Sequence, residues 1–212
     1  ARLTAEKTDT FPQPHPPRIG YQVVYMEKFL KYIGVKPKTS LKDMYIPPGR
    51  SRVFKGKKSI TIVDSSYNAN YDSFLAILEM FKEIPSQQKW LVMGDMLELG
   101  GQEAQDHRRL AQAVLDLEIR PKAVVLLGPR IKEYAYPVLK EKLKVPVVAY
   151  DTPDKVLEYL EENLKGGETI LFKGARFLEG VIESLLKDKK DAKHLPRRMP
   201  IWKKRRQEWN LP

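Results

Sequence analysis

Three stretches of this sequence concentrate side chains able to do chemistry. Asp64-Ser65-Ser66-Tyr67-Asn68-Ala69-Asn70 gathers a carboxylate, two hydroxyls, a phenol and two amides. It suits a polar ligand, and equally a turn and helix cap, since Ser, Asn and Asp favour both. Gly94-Asp95-Met96-Leu97-Glu98-Leu99-Gly100 sets two carboxylates between glycines. Lys173-Gly174-Ala175-Arg176 brings two cations to where a helix should begin, a place that already favours anions. A solvated pair is its plain alternative. Two shorter stretches, Gly128-Pro129-Arg130 and Asp151-Thr152-Pro153, complete the set, and the second reads as a helix cap.

His107 stands four residues after Glu103, at the edge of an apolar stripe formed by Leu110, Val114 and Leu117. A Glu–His pair at that spacing contributes only a few tenths of a kcal/mol on a surface, ~0.2–0.5. With no second His or Cys nearby, it carries no metal-ligand pattern, and an orienting role is its default reading. The chain has no cysteine, which excludes disulfides, thiolate metal sites and thiol nucleophiles and fits a reducing cytoplasm. One stretch, running from Gly49 to Ser59, looks like a phosphate-binding loop. Six residues separate Gly49 from Gly56, an extra Lys precedes Ser59, and no helix is expected to follow, so the pattern fails.

The elements that must hold these groups follow from periodicity. Strand-like runs at 59–64, 90–93, 123–127, 145–150 and 169–173 alternate with helical runs at 72–83, 102–117, 131–141, 155–164 and 177–187. Strands as continuously apolar as Val124-Val125-Leu126-Leu127 call for a parallel sheet covered on both faces. The expected fold is α/β: a Rossmann-like, doubly wound, mainly parallel sheet of about six strands. A hairpin formed by 52–54 and 60–63 adds one antiparallel edge strand. In such a sheet ligands collect beyond the carboxyl ends of the strands, where all five stretches fall.

Around this body the sequence divides further. Residues 1–20 form a Pro-rich lead-in, 21–46 contain an apolar helix ending near Gly34, 47–187 form the α/β domain, and 188–212 form a basic tail. Of the formal net charge of +11, residues 187–212 supply +7, with ten Lys or Arg against three acidic residues. Lys203-Lys204-Arg205-Arg206 between Trp202 and Trp209 combines charge with stacking rings, as a nucleic-acid or anionic-surface module would. The body offers no matching basic stripe, so nucleic acid is not the expected partner. The plain alternative has both Trp rings packed on the domain itself. No apolar run of the length of a membrane-spanning helix, ~20 residues, is present.

Pro48-Gly49-Arg50, Val63 to Asn70 with Asp72-Ser73-Phe74, Gly94 to Gly100 with Glu103 and His107, and Lys173 to Arg176 together resemble the C-terminal domain of the Mur ligase family. The resemblance runs from about residue 49 to 186. It is strongest toward members that join D-Ala-D-Ala to UDP-MurNAc-tripeptide. A folylpolyglutamate or cyanophycin synthetase relative is the alternative within the same class. These enzymes have a UDP-sugar domain, a central ATPase domain and a C-terminal domain. The resemblance implies that this chain is the third, that 21–46 ends the second, and that the other domains are its missing partners. ATP and Mg2+ would serve the complete enzyme, with neither held tightly here. The resemblance also assigns roles: Arg50, Asp64, Ser65, Tyr67, Asn68 and Asn70 toward ATP, and Asp95, Glu98, His107, Lys173 and Arg176 toward the amine acceptor. No residue of this chain is assigned to catalysis and none to a metal. Ser65 stands where the family usually has a second Asp, Tyr71 where Pro is frequent, and Ala175 where Ser is usual.

Overall fold

The computed structural model describes residue 29 and residues 31–34, 46–174 and 177–212. Its sheet has six strands: β1 (Arg52–Lys55), β2 (Thr61–Ser65), β3 (Lys89–Gly94), β4 (Ala123–Leu127), β5 (Val147–Tyr150) and β6 (Thr169–Lys173). Their spatial order is β1-β2-β6-β3-β4-β5. Only β1 runs antiparallel, pairing Val53 with Val63 at the sheet edge, while β6 lies parallel between β2 and β3. The α/β fold and the antiparallel edge hairpin expected from the sequence are both present. Of the apolar helix expected within 21–46, Phe29, Lys31 and Tyr32 are helical and the chain turns at Gly34; its remainder lies outside the described residues.

Alternation along each strand builds two cores. Ile62, Val92, Val125, Ile170 and Phe172 face one layer, holding α5 (Pro153–Asn163) and α6 (Leu178–Leu185). Val63, Leu91, Met93, Val124, Leu126 and Leu171 face the other. That layer holds α1 (Tyr71–Glu83), α2 (Glu103–Asp116), α3 (Pro129–Tyr134) and α4 (Tyr136–Lys142). Deleting one of these buried Leu side chains to Ala would cost about 2–5 kcal/mol. The single helix expected over 131–141 is two, because Pro137 has no N–H to donate and its ring crowds the preceding turn, so the chain breaks at Ala135.

The winding reverses once. Helices following β2, β3 and β4 lie on one face, and those following β5 and β6 lie on the other. Because β6 is inserted between β2 and β3, the chains leaving these neighbouring ends part to opposite faces and open a crevice. A second crevice opens between β4 and β5 for the same reason. α1 starts firmly although Tyr71 holds its first position: Asn70 accepts from the Ser73 N–H at 2.9 Å, and Ser73 Oγ accepts from the Asn70 N–H at 3.1 Å.

Residues 188–212 are built onto α6. They form a 3₁₀ segment (Lys189–His194) and α7 (Pro200–Gln207), and bury Leu195, Arg206 and Leu211. Gly180 of α6 leaves room for them, since a Cβ there would meet Arg206 Cδ at 2.8 Å and Leu211 at 3.0 Å.

At the first crevice Gly174 has φ +144, and a Cβ on it would fall 2.5 Å from the Gly94 Cα. Backbone meets backbone there, so no side chain can swing away. Gly174→Ala should therefore destabilise the domain by more than about 2 kcal/mol. Urea unfolding of the variant should show a lower midpoint, and an unchanged midpoint would mean that the two strand ends separate freely.

Candidate functional site

The expected site residues fall into two groups on the rim. The first surrounds the loop after β2. Asp64 is fully buried: its Oδ1 accepts from Ser66 Oγ at 2.6 Å and from the Ser66 N–H at 3.0 Å, while Oδ2 has no hydrogen-bond partner among the described residues. Burial pushes its pKa up to about 6; Ser66 opposes this shift, Glu179 adds to it and Arg197 opposes it. Ser65 is buried as well. Asp64 and Ser65 thus lie under the loop and shape it, while Arg50, Tyr67, Asn68 and Asn70 stand exposed above. The Arg50 guanidinium lies 5.0 Å from the centre of the Tyr67 ring.

Lys173, at the end of β6, joins this group. It is 4% exposed, and its ammonium donates to the Asn68 carbonyl at 2.5 Å. Burial, then Arg50, lower its pKa to about 8, against the pull of Asp64. Lys173 therefore braces the 64–70 loop from beneath. Arg176, its expected companion, lies outside the described residues.

The second group surrounds the ends of β3 and β4. Asp95 accepts from the Ile131 N–H at 2.8 Å and pairs with Arg130 at 3.4 Å, so it caps α3 from a neighbouring strand. Gly128, with φ +120, makes room for it, since a Cβ there would lie 2.5 Å from the Asp95 carboxyl carbon. The Arg130 Nε donates to Glu103, and this bond, ahead of the weaker help of Asp95, raises the arginine's pKa further. Arg130 Nη2 has no partner among the described residues. A cleft of about 180 Å³ opens here, lined by Asp95, Arg130, Asp151, Phe177 and Trp209 among others. Glu98 is exposed on the loop after β3, its backbone left-handed at φ +65.

His107 is beneath the rim with no exposure. Its Nδ1 faces the Glu103 carbonyl at 2.8 Å, and its Nε2 accepts from the Met96 N–H at 3.1 Å. With both nitrogens engaged, it orients the loop that carries Asp95 and Glu98 and is no direct ligand. This is the orienting role weighed in the sequence. Among the described residues no group of three His, Asp or Glu side chains is placed to hold a metal ion.

Arg130 stands on the rim, as the stretch Gly128-Pro129-Arg130 led one to expect, although the family resemblance gave it no role. One residue at the site was not expected there. Arg197, in the basic segment, donates to the carbonyls of Ser66 at 3.2 Å and Tyr67 at 2.5 Å and pairs with Glu179 at 3.4 Å. No local pattern distinguishes it from nine other cations in 187–212.

A domain description, "Mur ligase, glutamate ligase domain", matches residues 49–176. The chain belongs to the Mur ligase family. It is 30% identical over 162 residues to the UDP-N-acetylmuramoyl-tripeptide–D-alanyl-D-alanine ligase of Bacillus subtilis, covering 74% of this chain and 34% of that one. It is 30% identical over 136 residues to the Rickettsia prowazekii enzyme of the same name, covering 64% and 29%. The chain thus spans about a third of the length of these relatives. Among solved structures, the Thermotoga maritima MurF ligase in complex with ADP superposes with a TM-score of 0.63 at 24% identity, over 81% of this chain and 38% of that one. At that identity the likeness concerns the fold. Both groups on the rim fall within or beside the matched domain, and residues 177–212, with Arg197, lie beyond it.

Asp64 supplies a test by pH. Its folded pKa of about 6 lies above the ~3.9 of an unfolded chain, so the folded state binds its proton more tightly. The resulting stabilisation is fully present below ~4 and is lost as pH rises through about 6. Asp64→Asn should lack this loss. Its urea stability relative to the parent chain should improve by about 3 kcal/mol between pH 4 and pH 7.5. An equal pH dependence in both proteins would show that the carboxylate is not held this way.

Proposed function

We propose that this chain is the C-terminal domain of an ATP-dependent ligase that joins D-Ala-D-Ala to UDP-MurNAc-tripeptide, acting in the cytoplasm with UDP-sugar and ATPase domains supplied by a longer protein. The observation that carries the reading is the division of the rim into an exposed polar loop at 64–70 and a separate charged cleft at the ends of β3 and β4, in a domain matching this family. In the reaction, the tripeptide carboxylate takes the γ-phosphoryl group of ATP. The amine of the dipeptide then attacks the acyl carbon and phosphate departs. Mg2+ would balance phosphate charge from residues of the other domains.

The residues present fit this division. Tyr67 and Arg50 offer an exposed ring and a cation for the purine and phosphate sides of a nucleotide, and Asn68 and Asn70 offer amides for its polar edges. Asp64, Ser65 and Lys173 keep that loop in shape. In the cleft, Arg130 Nη2, which has no partner among the described residues, suits the dipeptide carboxylate, and Asp151, whose Oδ2 accepts from Lys132 at 2.6 Å, would share its carboxylate with the dipeptide ammonium before the proton is lost. Glu98 stands on the cleft's outer loop, and His107 fixes that loop's path. The domain's contribution is to hold two reactants in line, an effect worth roughly 7–11 kcal/mol of a barrier. Closing over them keeps water from the acyl phosphate.

The test separates the two groups within the complete ligase. Tyr67→Ala should raise the KM for ATP by about tenfold, the worth of one stacking contact, with the KM for D-Ala-D-Ala within twofold of normal. Arg130→Gln should do the reverse. The 212-residue chain alone should release no ADP from the full substrate mixture. Both variants moving the same KM would remove the two-part assignment, and preference for glutamate over D-Ala-D-Ala would favour the folylpolyglutamate-type alternative.

A further inference from the structure

The segment beyond the matched domain reaches back to the rim through one side chain. Arg197 spans from the buried Glu179 carboxylate of α6 to the Ser66 and Tyr67 carbonyls, and its guanidinium lies 5.7 Å from the centre of the Tyr67 ring. It is fixed from behind. Arg206, itself fully buried, donates to the Arg197 carbonyl at 3.0 Å and stands 3.5 Å from Glu179, while Trp202 lies 5.5 Å from the Arg197 guanidinium. The neighbouring Pro196 packs against Gly49, where a Cβ would meet it at 3.1 Å and the Tyr67 N–H nitrogen at 2.8 Å.

We infer that Arg197 is a positioning residue: from a segment outside the matched family domain, it clamps the 66–68 backbone and so sets the presentation of Tyr67 and Asn68 to the nucleotide. The inference rests on the proposed function for the identity of that ligand. The loop is otherwise held by Asp64, through Ser66, by Lys173, through the Asn68 carbonyl, and by the Gly49 carbonyl, which accepts from the Tyr67 N–H at 3.2 Å. None of these contacts touches the Tyr67 carbonyl. A planar guanidinium with two donors aimed at two successive carbonyls fixes the peptide between them, and a lysine would keep the charge but lose the fork.

The experiment compares Arg197→Gln and Arg197→Lys in the 212-residue chain by amide hydrogen exchange, then in the complete ligase by kinetics. In Arg197→Gln the amides of 66–70 should exchange at least about tenfold faster, with those of β3 and β4 unchanged, and Arg197→Lys should recover only part of the protection. In the complete ligase the KM for ATP should rise with kcat and the KM for D-Ala-D-Ala little changed. Unchanged exchange at 66–70, or equal acceleration through β3 and β4, would overturn the inference, the latter by making Arg197 a general stability residue. Faster exchange confined to 66–70 with an unmoved KM for ATP would leave the clamp standing and instead overturn the reading of this loop as the nucleotide site.

Discussion

A carboxylate with no access to water governs how this domain closes on itself. Glu179 lies in α6 at zero exposure, and burial raises its pKa against the opposing charges of Arg197 and Arg206. An unpaired buried charge would cost several kcal/mol, of order 3–5 when one partner is removed. The residues that neutralise it come from 197–206, so the C-terminal segment and α6 need each other. Glu183, one turn later, repeats the arrangement with Arg198. From this requirement follow the small residue at Gly180, the burial of Leu211 and the delivery of Trp209 to the cleft wall. The pairing is not ideal: among the described residues Arg206 Nη2 finds no hydrogen-bond partner, and Glu179 Oε1, 3.5 Å from Arg206 Nη1, accepts no hydrogen bond. Networks of this kind specify an arrangement more than they add stability.

The same segment turns part of a strongly basic stretch inward. Three of its arginines are used internally, and Trp202 has the guanidinium groups of Arg197 and Arg205 over its ring. Lys203 and Lys204 remain exposed, which is the ordinary state of a lysine.

The sheet was legible because its pattern is strong: five apolar runs, each followed by an amphipathic stretch, allow few topologies. β6 at Thr169–Lys173 agrees to the residue, since Glu168 and Gly174 bound it chemically. The break at Ala135 was obscured by a helical period that continues through Pro137. At the site, residue types identified the loops but could not distinguish a group facing solvent from one beneath it. Asp64 and Tyr67 are three apart in one motif, yet one is sealed and the other is open. His107 was readable as an orienting group because it stands at the border of a helical apolar stripe. Arg197 was not, because its partners Glu179 and Tyr67 are 18 and 130 residues away, and charge composition carries no information about such distances.

The division of the rim also bears on how such a domain handles two reactants. The 64–70 loop and the Arg130 cleft are separated by the ends of β6 and β3, whose backbones meet at Gly174 and Gly94 without an intervening side chain. That contact makes the spacing between the two groups a property of the sheet, not of mobile loops. Neither group holds its position through the other: Lys173 and Arg197 brace the first, and His107 and Asp95 brace the second. Under the proposed function, a ligase that must align an acyl phosphate with an amine would gain from this independence: each reactant would be bound without disturbing the other, and the fixed separation would convert domain closure into alignment.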